Sequence, residues 1–151
     1  MAGTLTFFDL AGWYDDFVTE LRTLAAAKDS RLVVADGDMA DSTSQRMLFL
    51  GGAELDADPD LDDLEGVSST QGWTVGWSLL VHWDTRDLSS ARFYAQEIVG
   101  TIYEAAAATT RTGQVLEAVP SIDRYAPALP ENQRGVAVTM FGTISLKVAT
   151  G

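Results

Sequence analysis

Asp36-Gly37-Asp38 follows directly on the run Leu32-Val33-Val34-Ala35, and by type and spacing these two carboxylates are the chain's best candidates for chemistry. Carboxylates at i and i+2 at the end of a strand can hold Mg²⁺ for phosphoryl or glycosyl transfer. Phosphotransferases of that pattern place Thr or Val two residues after the second aspartate, where this chain has Ala40. They also need a βαβ framework to hold phosphate, which the order of elements does not provide. Asp-Gly is equally a turn signal, and the turn is the favoured reading. Asp36 and Asp38 therefore stand only as the pair that a small α+β enzyme or ligand-binding domain would use.

The remaining candidates carry less. Asp56, Asp58 and Asp60 occupy positions one, three and five of a calcium-loop register, but Leu61 stands where glycine is needed and Val67 where the bidentate glutamate belongs. With Glu54, Asp62, Asp63 and Glu65 they form a run of acids without a base, read as a solvated surface loop over about residues 53–68. His82, the one histidine, has no Ser, Cys or paired carboxylate near it in a recognisable motif. The chain has no cysteine, which removes disulfides, thiolate zinc sites and cysteine nucleophiles. Gly51-Gly52 lacks the spacing and the lysine of a phosphate-binding loop. The sequence thus points to no catalytic residue, no cofactor and no metal, and the expectation is a protein that is not an enzyme.

Charge says more about partners. The net charge is −12, and residues 1 to 66 hold 15 of the 22 acids but only four of the ten bases. An acidic first half opposes sustained contact with nucleic-acid backbones. MAGTLTFF has no basic leader region, and no apolar run approaches the ~18 residues of a membrane span, so the chain reads as cytosolic and without membrane contact.

The elements that must position these residues follow from periodicity. Trp73, Val75, Trp77, Leu79, Val81 and Trp83 alternate with smaller or more polar residues, which predicts a strand over Gln71–Asp84 whose apolar face needs cover. Leu10, Trp13, Phe17, Leu21 and Leu24 predict a helix to Lys28 with Asp9 as N-cap. Arg31–Ala35 and Arg46–Leu50 read as short strands, the second stopped by Gly51-Gly52. A long helix runs from Ser90 to about Arg111, capped by Asp87 or Ser89. Gln114–Ile122 reads as a strand broken near its end by Pro120, Asp123–Gly135 as a charged loop, and Val136–Val148 as an alternating strand. At 151 residues this is expected to be a single α+β domain, a mixed or antiparallel sheet of about five strands with two helices packed on one face.

These strings in this order resemble the tail terminator, or tail completion, proteins of long-tailed bacteriophages. The resemblance spans almost the whole chain: the first helix, VVADG, FLGG, the acidic run, WTVGWSLLVHWD, FYAQEIVGTIYEAAAA, RTGQVLEAV, and ENQRGVAVTMFGTISLKV. It implies a structural assembly protein of the virion tail or neck, put together in the host cytoplasm. Such proteins form a ring, commonly a hexamer, that caps the tail tube, stops its polymerisation and offers the head-joining surface. The partners so implied are further copies of the chain, the tail tube protein and a head-completion or connector protein, with DNA passing through the ring unbound. Other head–tail connector, head-completion and tail tube proteins remain alternatives. The family has no catalytic residues to carry over. On physical grounds the charged stretch with Arg124, Glu131 and Arg134 is expected at a subunit or tube interface, and the acidic residues from Glu54 to Glu65 toward a neighbouring ring or the channel.

Overall fold

The computed structural model describes residues 7–37, 46–56, 70–110, 114–129 and 134–149. Helix α1 (Leu10–Lys28) leads to β1 (Val33–Asp36), β2 (Arg46–Leu55) and β3 (Thr70–Trp83); helix α2 (Leu88–Thr109) precedes β4 (Val115–Ala128) and β5 (Val136–Ala149). The five strands form one sheet in the order β1-β2-β3-β5-β4. Only β1 and β2 run parallel; the other three pairings are antiparallel, so this is the expected mixed α+β sheet.

Period decides which side chains meet. Val75, Trp77, Leu79 and Val81 of β3 lie opposite Ile144, Gly142, Met140 and Val138 of β5, and all of these apolar side chains are buried. Leu48 and Leu50 extend the same face across β2. Both helices cover that face: α1 contributes Trp13, Phe17, Val18, Leu21 and Ala25, and α2 contributes Ala91, Ala95, Ile98, Val99, Ile102 and Ala105. The alanines allow α2 to lie close to the sheet. Trp73 and Trp83, at the two ends of β3, are only partly buried because the helices leave the sheet's ends open. Asp9 caps α1 by accepting from the Gly12 N–H at 3.0 Å, and of the two expected caps for α2 Asp87 serves, accepting from the Ser90 N–H at 3.1 Å.

Several boundaries differ from the expectation, and α2 starts at Leu88 instead of Ser90. β1 begins at Val33 instead of Arg31. β2 does not stop at Gly51-Gly52: the register shifts between Leu50 and Ala53 and the strand continues to Leu55, opposite Trp73. A pair without side chains can bulge without ending the ladder. Ala53 and Glu54 therefore belong to a strand and not to a loop. Similarly, β4 passes through Pro120 and Pro127, so Asp123–Ala128 is strand and Arg124 stands opposite Phe141. Proline is tolerated there because β4 is an edge strand, paired on one side only. Two register shifts, at Val115/Glu117 and Ile122/Arg124, absorb the irregularity. At the other edge the strand is four residues long, and the Arg22 guanidinium donates to the Val34 carbonyl at 3.2 Å.

Gly142 is where close approach demands glycine. The Trp77 indole lies across it, and a Cβ at this position would sit 2.3 Å from Trp77 Cζ2 and 2.0 Å from the Ser121 carbonyl oxygen. One obstacle is backbone and the other a buried ring, so neither yields cheaply. Gly142→Ala is expected to destabilise by about 1 to 3 kcal/mol or more, as overpacking does, read as a lower urea midpoint, whereas Gly52→Ala, with nothing within 4 Å of its Cβ, is expected to leave the midpoint nearly unchanged.

Candidate functional site

The structure scatters the residues singled out for chemistry. Asp36 ends β1 at the surface, and Gly37 takes φ 76°, the left-handed backbone of a turn; Asp38 lies outside the described residues. The phenol of Tyr14 is pushed up to about 12 by burial and by the Asp36 carboxylate, and its hydroxyl is used in donating to the Gly51 carbonyl. Among the described residues no group of three or more His, Cys, Asp or Glu side chains is placed to hold a metal ion, and no helix is long and apolar enough to cross a membrane. His82 is exposed on β3. Glu54 is exposed in β2, and Asp56, just past it, accepts from Thr74 Oγ1 at 2.8 Å. Asp58, Asp60, Asp62, Asp63, Glu65 and Glu131 lie outside the described residues. Arg124 and Arg134 are exposed; the Arg124 guanidinium sits 5.7 Å from the Phe141 ring centroid.

What the fold does bring together is charge at the two ends of the strands. At one end stand the start of β2, the close of β3, the C-terminus of α1 and the N-terminus of α2. Here Arg46 is held between two rings, 5.0 Å from the Trp83 centroid and 4.6 Å from that of Tyr94, and its Nη1 donates to Asp29 at 2.6 Å. Tyr94 donates to the same carboxylate at 2.6 Å, so residues from α1, β2, β3 and α2 are joined around one nearly buried ion pair. No sequence pattern links these four positions, and the cluster was invisible in the chain. Burial raises the Asp29 pKa, but hydrogen bonds from the Tyr94 hydroxyl, the Arg31 backbone N–H and both guanidinium groups outweigh it and hold the carboxyl well below the usual range. Burial and the Asp29 charge push the Tyr94 phenol up.

Around this internal pair, the exposed charges of that end are mainly basic: Lys28, Arg31, Arg86, Arg92 and Arg134 against Asp84 and Asp87. Exposed apolar side chains lie among them: Phe93, Leu129, and Tyr125, whose hydroxyl accepts from Arg92 Nε at 3.0 Å. The opposite end holds the N-terminus of α1, the C-terminus of α2, the close of β2 and the start of β4. Its described charges are Asp9, Asp16, Glu54, Asp56, Glu104 and Glu117 with their neighbours on α1, and one base, Lys147. Phe7, Leu55 and Leu116 are exposed beside them.

On the face of the sheet without helices, Gly51, Gly52 and Gly76 floor a concavity of about 530 Å³ flanked by Phe49 and Phe141. Among the described residues, Ser78 supplies the only side-chain hydroxyl that lines it and no charged side chain does. Such a surface can receive an apolar group.

No protein-family model and no curated protein matches the chain. Among solved structures, a chain from the virion of a native gene transfer agent particle superposes with a TM-score of 0.49 at 14% identity, over 95% of this chain and 99% of that one.

The Asp29–Arg46 pair makes two measurable statements. Arg46→Met removes the closer of the two guanidinium groups on Asp29 and leaves the carboxylate to Tyr94 and the exposed Arg31, which is expected to cost about 1 to 3 kcal/mol, while Arg46→Met with Asp29→Asn costs less than the sum of the two single changes. A carboxyl depressed on folding adds stability above its unfolded pKa of about 3.9, and that stability is lost as pH falls toward the folded value. Urea midpoints of the wild type are therefore expected to fall on acidification below about pH 4, and Asp29→Asn to show a smaller fall over the same window.

Proposed function

We propose that this protein is a structural component of a bacteriophage-type virion, and within that class a tail terminator: a ring of copies that caps the tail tube, stops its growth and presents the surface to which the head joins. What carries the reading is the coincidence of the resemblance with the elements. Apart from the acidic run, most of which lies outside the described residues, each quoted string falls on a described element or its boundary, and together these elements make the sheet with helices on one side that the resemblance implies. The surface supports it as well. Exposed arginines and aromatics are what protein interfaces concentrate, and the glycine-floored concavity suits contact better than catalysis. In this role the partners are other copies of the chain, the tube protein and a head-completion protein, and DNA passes through the ring without specific binding.

Purified protein mixed with tail tubes and viewed by electron microscopy tests the assignment. Rings at one end of each tube are the expected result. Binding along the tube wall or to isolated heads would favour a tube subunit or another connector, and a monomer that binds a nucleotide or sugar near Asp36 would sink the reading. Charge reversal of Asp56, Asp58, Asp60, Asp62 and Asp63 is expected to lower the yield of infectious particles, with head joining and DNA delivery scored separately. An unchanged yield would remove these residues from the mechanism.

A further inference from the structure

The two ends of the sheet are opposites in charge and alike in apolar character. Among the described residues, one presents Arg86, Arg92 and Arg134 with Phe93 and Leu129 exposed at the same end; the other presents Glu54, Asp56, Glu104 and Glu117, with Leu55 on β2 and Leu116 on β4 exposed there. Phe93 is 64% exposed and Leu116 56%, so each end offers an apolar side chain that a partner could cover. Helix stability does not account for the segregation. In α1 the N-cap Asp9 and Lys28 in the last turn agree with the helix dipole, though the first turn itself holds no acid. α2 has Asp87 as its N-cap but no acid in its first turn and no base in its last, and beyond the cap it carries Arg92 toward its N-terminus and Glu104 toward its C-terminus, against the dipole. The charge follows the molecule's axis and ignores the direction of the helix.

We infer that the basic, aromatic end of one copy docks on the acidic end of a second copy, a head-to-tail contact in which unlike patches of the same chain meet. Contacts of this kind are heterologous: each copy uses one patch and leaves the other free for the next, so they build rings or stacks and not closed pairs. Opposite potentials steer the copies into register, and the exposed Phe93 and Leu129 supply the desolvated centre that charge alone lacks. The contact is made by side chains at strand and helix termini, with Leu116 and Glu117 at the start of the edge strand β4 among them, and not by main-chain pairing. The inference deepens the ring reading above by naming the contact between copies, but it stands on the charge pattern of this chain.

Charge swapping tests it. Sedimentation velocity of the wild type is expected to show self-association at roughly 0.02 M salt that weakens at least about tenfold at roughly 0.5 M, where the Debye length has shrunk to a few ångström. Arg86→Glu with Arg134→Glu, and separately Glu54→Lys with Glu104→Lys, are each expected to leave the chain monomeric with unchanged circular dichroism. Mixing the two variants should restore association, since each then offers the end the other needs. A wild type that stays monomeric at low salt overturns the inference, as does association that survives in both reversed variants. Retention of a DNA duplex by the wild type, lost in the Arg86→Glu and Arg134→Glu variant, would assign the basic end to phosphate instead. Tube capping is scored in a separate assay, so capping by a variant that no longer self-associates removes this contact and leaves the terminator reading in place.

Discussion

Fourteen consecutive residue pairs between β3 and β5, from Thr70 with Ala149 to Trp83 with Val136, are the frame on which everything else is hung. Because strand side chains alternate, this single register decides for both strands which residues are buried, and a slip by one would bury Thr74, Gly76, Ser78 and His82 in their place. The cost of such a slip is the loss of Val75, Trp77, Leu79 and Val81 from the core, so the ladder and the helical cover specify each other. Gly142 belongs to this constraint. It sits in the middle of the ladder because the Trp77 indole turns sideways over its partner strand instead of upward into the helices.

The frame also explains how distant parts of the chain arrive at the same place. β2 and β3 are joined at the acidic end, β4 and β5 at the basic end, and the helices run in opposite senses above them. Lys28 and Arg31 from the early chain thereby stand beside Arg86 and Arg134 from the late chain, although the sequence as a whole concentrates its bases nowhere. The same convergence assembles the Asp29–Arg46–Tyr94 cluster. Its ion pair ties the end of α1 to the start of β2 across the open end of the sheet, where the apolar core no longer reaches.

Much of the fold was legible in the chain because periodicity is local. The alternation of Trp73 to Trp83 and of Val136 to Val148, the stripe of α1 and the caps Asp9 and Asp87 all report interactions within a few residues. The errors arose where a local signal was overruled by position in the sheet. Pro120 ends a central strand but not an edge, and Gly51-Gly52 ends an unpaired strand but can bulge when a neighbour continues on its far side. Arg124 was misassigned to a loop for the first of these reasons. The charged ends were legible only as composition, an acidic first half, because which charges share an end depends on antiparallel pairings that no single window of sequence contains.

Both margins of the sheet are blunted. Arg22 occupies a carbonyl of the short β1 strand, and β4 lacks two amide donors at Pro120 and Pro127 and is kinked by two bulges. An open margin of fourteen residues with Leu116, Val119 and Ile122 exposed would otherwise be a template for cross-β growth. Fibril growth by edge addition speeds up as the concentration of the chain rises, so a fold that withholds donors on one margin and occupies a carbonyl on the other tolerates accumulation that an unprotected margin would not.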